Sequence, residues 1–247
     1  MTVRSNSTIS PERVAVVEWA ARMGAITAEA LAEREGFTVA SARARLLAAE
    51  RRRLLRRRRP LTGQPALYTA TPAGMRAVGV RGLEPCRVSA ANAAHAIACA
   101  GVAAALEHCY PSHRVIGERE LRREERERGC ALASAHMGTG QHGAAVLHRP
   151  DLVLWPKDPA EELPVAVEVE LTRKAAQRLL AICRAWARCR CVDGVIYLAP
   201  PQVHRALERA IEHACAGERV IVLPFDALPR RHQHVLGAIE SSIAAGA

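Results

Sequence analysis

Four residues in one short stretch have the types and spacing from which hydrolytic chemistry is built. Asp151 follows Pro150 in HRPDLVLW, Glu168 and Glu170 lie two apart in PVAVEVE, and Lys174 stands four residues further on. The two apolar runs read as strands, about 146–155 and 164–171, separated by a polar break and followed by a helix over 172–190. Residues two apart on a strand point to the same face, so Glu168 and Glu170 share one side of the sheet. Carboxylates set among Val, Ala and Leu are costly to bury unless their charge is compensated. One compensation is a divalent cation; the other is an ion-pair network with Arg149, Arg173 and Lys174. In the first case Asp151, Glu168 and Glu170 offer hard oxygen ligands for one or two Mg²⁺ (or Mn²⁺) ions. Such an ion polarises a phosphodiester and lowers the pKa of an attacking water. Lys174 would stabilise the developing negative charge or orient that water, and Glu170 could alternatively act as general base. Gln177 is placed to hydrogen-bond a substrate, and Arg173 and Arg178 to touch a nucleic-acid backbone.

The elements that must position these groups follow a regular order. Residues 88–109 are small and apolar and read as a buried helix, with His95, Cys99, His108 and Cys109 as packing residues. A strand near 114–116 precedes a charged helix whose Glu and Arg alternate at i,i+4 spacing. Glu118 and Glu120 at that junction are either further acidic ligands or salt-bridge partners. The Gly-rich segment 129–145 reads as a loop, and its His136 and His142, with His148, match no common zinc spacing. After helix 172–190 come a strand at 192–199, a helix at 201–216, a strand at 219–223 and a last helix from about 230. Continuous apolar runs such as GVIYLA and VIVL suit strands covered on both faces. The expectation is α-β-β-β-α-β-α-β around a mixed sheet. On the helix, Ala175, Leu179, Ile182 and Trp186 form its core-facing stripe.

The front of the chain has a different character. Residues 1–85 carry 15 Lys+Arg against 7 Asp+Glu, a net of +8, whereas residues 86–247 carry 20 against 18, a net of +2. A basic third on a nearly neutral body points to a polyanionic partner for that third. Residues 1–9 read as a disordered lead. Three short helices follow, starting at Ser10-Pro11, Thr27 and Thr38, each with a capping residue. LLRRRRP, LTGQP and ALYTA then read as strand, turn and returning strand, and Thr71-Pro72 opens a fourth short helix. Seven arginines fall between positions 51 and 59. Aromatic residues make up 3% of the chain, too few for base stacking to dominate nucleic-acid binding.

Three helices followed by a basic hairpin resemble a winged helix-turn-helix, and LRRRRPLTGQPALYTATPAG resembles the wing of bacterial regulators. That likeness implies a DNA-binding domain over 10–85, with Arg43 and Arg45 facing a major groove and Arg56, Arg57, Arg58 and Arg59 lying along phosphates. Residues 86–247 resemble the PD-(D/E)XK nuclease superfamily, a restriction-endonuclease-like mixed sheet flanked by helices. Pro150-Asp151 match its PD and Glu168 its acidic residue. Glu170 occupies the position where that family carries lysine, so the lysine's part falls to Lys174. A winged helix followed by RPD and EVELTRK is similar to replication-relaxation proteins of plasmids and mobile elements. The resemblance implies an α/β protein that binds double-stranded DNA, either as a metal-dependent endonuclease or as a non-catalytic regulator or replication accessory factor. A homodimer is a further expectation, because winged-helix proteins often read paired half-sites. The first residues have no apolar core for a signal peptide and no run of 18 apolar residues occurs. A cytoplasmic protein with eight reduced cysteines is expected.

Overall fold

The computed structural model describes residues 9–158 and 162–228. All but the last residue of the expected lead, and the expected final helix from about 230, lie outside the described residues.

The chain opens with α1 (Pro11–Met23), α2 (Ala28–Glu35) and α3 (Val39–Arg51). The caps act as their residue types dictate: Thr27 Oγ1 accepts from Ala30 N at 3.0 Å and Thr38 Oγ1 from Ser41 N at 3.2 Å. Gly36 ends α2 in the left-handed conformation (φ 72°), where a Cβ would be strained. The basic hairpin consists of β1 (Leu55–Arg58) and antiparallel β2 (Leu67–Ala70). An isolated antiparallel bridge, Ile26 to Tyr68, ties it back to the α1–α2 turn. The short α4 (Pro72–Ala77) follows Thr71, whose Oγ1 accepts from Gly74 N at 3.0 Å.

α5 (Ala90–Cys109) is the element shared by both parts of the chain. Ala100 and Ala104 join the apolar core of the front helices, while Ala98, Val102, Ala103 and Leu106 join the core on one face of the sheet. Small side chains let both layers approach the same helix. α5 alone among the described helices has the length and composition to cross a membrane; in this fold more than half of it is buried inside the protein. Next come β3 (His113–Gly117) and α6 (Glu118–Arg128).

The region 129–155 departs from expectation. The segment read as a loop contains β4 (Ala135–Thr139), which pairs with β5 (Ala145–His148) in a separate hairpin bulged between His136 and Gly138. The expected strand 146–155 is therefore two strands: the chain turns at Arg149-Pro150 and β6 (Leu152–Pro156) begins after Asp151. Proline has no N–H to give to a ladder, so the break falls there. β7 (Val165–Val169), α7 (Ala176–Arg188), β8 (Gly194–Leu198), α8 (Pro201–His213) and β9 (Val220–Leu223) complete the described fold.

The main sheet is mixed, in the order β3-β6-β7-β8-β9. β3, β6 and β7 pair antiparallel, and β7, β8 and β9 pair parallel through the helical crossovers α7 and α8. Pleating sorts the core: Leu152, Leu154 and Val167 face α5, whereas Val153, Ala166, Val195 and Tyr197 pack with α7 and α8. The α/β class and the mixed, helix-flanked sheet are as expected. α7 starts later than expected, so Ala175 is exposed and precedes it, while Leu179, Ile182 and Trp186 are buried.

Candidate functional site

The antiparallel register of β6 and β7 sets the site. Leu152 pairs with Val167 at the end of the ladder, so the next residues out, Asp151 and Glu168, meet at the same end of the β6–β7 pair. Asp151 is not inside the strand as expected but at its threshold, where the β6–β7 register has ended and the N–H of Val169 meets its side chain instead. Its Oδ2 accepts from Val169 N at 2.8 Å and its Oδ1 contacts His95 Nε2 at 2.9 Å. Its backbone oxygen still accepts from Glu118 N at 3.0 Å. Glu168 is buried beneath α7: its Oε1 lies 2.6 Å from His148 Nε2 and accepts from Trp186 Nε1 at 3.3 Å. Its Oε2 is engaged by neither.

Glu170 lies just past β7, and its N–H continues the parallel pairing to Leu198 O at 3.0 Å. Lys174 sits in the turn before α7 rather than in its first turn, and from there its Nζ ion-pairs with Glu170 Oε2. Asp151, Glu168, Glu170 and Lys174 all line one cavity of about 1180 Å³, together with His95, His148, Arg149, Arg173, Gln202 and Arg205. The four residues expected to share a site are thus brought together.

Other expectations part from that cavity. Gln177 and Arg178 are exposed on α7 and do not line it. Arg149 lines it but donates to buried Glu125 Oε2 at 2.8 Å. Arg173 lies at the rim, with Nε donating to Gln202 O at 3.3 Å. Glu118 and Glu120 are not ligands to this site: Glu118 pairs with Arg122, and buried Glu120 with Arg22 at 3.3 Å. His136 is exposed on β4, where it pairs with Leu147, one step along from the Ala135–His148 pair, and it does not line the cavity.

The electrostatics follow from burial and partners. Burial alone would push Asp151 up, but the His95 hydrogen bond and charge, the Val169 N–H and Lys174 hold it below the usual carboxylate range. Glu168 is pushed up, chiefly by burial and further by Asp151, against the opposing pull of His148 and Lys174. Two carboxylates in one cavity are thereby driven apart in acidity, an arrangement common at functional sites. His95 is raised by negative charge on Cys99 and by Asp151, against burial. Cys99 is itself raised by burial, which weakens the charge it offers and leaves Asp151 as the anionic partner that favours the charged imidazole.

Sequence reasoning missed His95, Cys99 and His148. His95 is not a packing residue: its side chain is 45% exposed and turned to Asp151, with Cys99 Sγ 3.4 Å from the same Nε2. The one signal was their i,i+4 spacing, which puts both on one face of α5. The Cys189–Cys191 pair lies elsewhere; its sulfurs are 3.3 Å apart beside Ser134 O, and hydrogen bonding from Cys191 holds Cys189 down to about 6.

The basic hairpin is a surface. Arg56, Arg57, Arg58 and Arg59 are all exposed. Strand alternation sends Arg57 toward Glu50, at 3.5 Å, while Arg56 and Arg58 line a groove with Thr71 and Arg87. On α3, Arg43 is exposed and 3.8 Å from Glu29; Arg45 pairs with Glu12 at 3.0 Å and stacks over Phe37.

Comparison with family models, curated proteins and solved structures finds no match for this chain.

Proposed function

We propose that the chain is a DNA-binding protein with a metal-dependent endonuclease site, acting in the cytoplasm on plasmid or mobile-element DNA. In this reading residues 10–85 are a winged helix-turn-helix that grips duplex DNA, and residues 86–247 are a PD-(D/E)XK nuclease-like domain. The observation that carries it is the convergence of Asp151, Glu168, Glu170 and Lys174 on one cavity. The donor set suits a hard divalent cation. Asp151 and Glu168 line the same cavity at one end of the β6–β7 pair, and Glu168 Oε2 is free of the His148 and Trp186 bonds. Mg²⁺ or Mn²⁺ there would supply Lewis-acid polarisation of a phosphate and a more acidic water. The chain's own residues do the rest. His95 and Val169 N–H fix Asp151, and His148 and Trp186 fix Glu168. Lys174 offers its ammonium to a phosphate oxygen, and Arg173 and Arg205 draw the backbone to the rim.

A second reading has its own observation. Glu170 neutralises Lys174, which leaves no uncompensated ammonium for a transition state. On that reading the domain is a degenerate nuclease fold serving a non-catalytic regulator or replication accessory factor, with a homodimer on DNA as one form. The two part on supercoiled plasmid with Mg²⁺ or Mn²⁺. Nicking by the wild type, lost in Asp151→Asn, supports the enzyme; no nicking with any metal, alongside intact DNA binding, supports the accessory factor.

A further inference from the structure

Beside the cavity, whose lining includes His95 and Asp151, lies a donor set of a different kind. His95 and Cys99 stand one helical turn apart on α5, and Asp151 reaches them from the start of β6. His95 Nε2 lies 2.9 Å from Asp151 Oδ1 and 3.4 Å from Cys99 Sγ, and the three ligand atoms lie within 4.8 Å of one another. We propose that His95, Cys99 and Asp151 form a site for a borderline transition-metal ion of the Zn²⁺ class, open on the cavity side.

Three features carry this. The first is donor chemistry: thiolate and imidazole favour Zn²⁺, Co²⁺ or Fe²⁺ over Mg²⁺, whose preference is for oxygen alone. The second is size. Zinc–ligand bonds of about 2.0–2.3 Å spread tetrahedral ligands to roughly 3.2–3.7 Å from one another. The His95–Cys99 separation of 3.4 Å already falls in that range, and the His95–Asp151 separation of 2.9 Å lies just below it. Both short contacts converge on His95 Nε2, the atom an ion would share with the other two ligands. The third is preorganisation: Val169 N–H holds Asp151 through Oδ2, which leaves Oδ1 for the trio. Three protein ligands with an open fourth position is the arrangement of zinc sites that bind water or substrate rather than of closed structural ones.

The inference does not depend on DNA cleavage. It concerns a different ion and two residues, His95 and Cys99, that the endonuclease proposal uses only for positioning or not at all. Asp151 is common to both.

The test uses the reduced full-length protein titrated with Co²⁺, whose bond to a thiolate gives a charge-transfer absorption in the near ultraviolet. The expected result is one Co²⁺ per chain with that absorption, removed by Zn²⁺ and unchanged by excess Mg²⁺. Cys99→Ser abolishes the band. His95→Ala, a change at a half-exposed side chain that leaves the core intact, weakens Co²⁺ affinity on the order of 10-fold or more. Cys189→Ser/Cys191→Ser, which removes the close sulfur pair elsewhere in the fold, leaves the band in place. Absence of a thiolate band in the wild type, its survival in Cys99→Ser, or its loss in Cys189→Ser/Cys191→Ser would overturn the proposal. A protein that shows the band and fails to nick plasmid refutes the endonuclease alone; one that nicks and shows no band refutes the zinc-class site alone.

Discussion

Replacing Asp151 by Asn isolates the charge at the centre of the site. Asn keeps an oxygen for Val169 N–H, so the bond at 2.8 Å changes from charge-assisted to neutral, a loss of about 1 kcal/mol. The pair with His95 at 2.9 Å is lost too; because the imidazole is 45% exposed, solvent screening holds its worth to about 1 kcal/mol. The variant should therefore unfold about 2 kcal/mol more easily near pH 5–6. The pH dependence has two arms. The Asp151 pKa is lowered in the fold, so its contribution is present above the unfolded value of about 3.9 and is lost as pH falls through the folded value. The His95 pKa is raised, so its contribution is full below the unfolded value of about 6.5 and is lost as pH rises toward the folded value. The difference between wild type and variant should thus peak between about pH 4 and 6.5 and shrink on both sides. Urea unfolding followed by tryptophan fluorescence from pH 3 to 9 measures it. A difference below about 0.5 kcal/mol, or one flat across that range, would refute the reasoning.

Three further outcomes are expected. Gly74→Ala should cost about 3 kcal/mol or prevent folding, because the added Cβ would sit 2.1 Å from Leu54 O, a backbone atom at the α3–β1 junction; thermal melting checks it, and an unchanged Tm contradicts it. Arg56→Ala/Arg58→Ala should weaken duplex binding and reduce the slope of log affinity against log salt by up to about 2, since each phosphate contact contributes about 0.9; fluorescence anisotropy at several salt concentrations reads both, and an unaltered slope removes the hairpin as the contact. Trp186→Phe should raise the Glu168 pKa further, because it deletes the indole N–H bonded to Oε1 at 3.3 Å; carboxyl-carbon NMR titration would show it, and no upward movement would mean that the bond carries no weight.

Much of the site was legible because its residues break local rules. Carboxylates on a Val-rich strand and an aspartate after proline are conspicuous, and period-2 parity alone put Glu168 and Glu170 on one face. The partners were not legible. His95 and Cys99 sit in an alanine-rich helix whose composition says only that it is buried, and what they face is decided by how α5 crosses the sheet. The β4–β5 hairpin was hidden because HMGTG carries glycines and a bulge in place of apolar alternation. In the arginine run the sequence showed charge but not pairing: strand parity turns Arg57 to Glu50 and leaves Arg56 and Arg58 outward, a distinction that depends on where α3 ends.

The central claim is that the cavity between β6, β7 and α7 is built to hydrolyse phosphodiesters. Its most direct test is the rate of plasmid nicking in Mn²⁺ by wild type and Glu168→Gln, which keeps the side chain's size and an oxygen for Trp186. The account predicts open-circular product from the wild type and a rate on the order of 100-fold lower for the variant, at unchanged DNA affinity. Equal rates for the two proteins, or no nicking by the wild type, would contradict it.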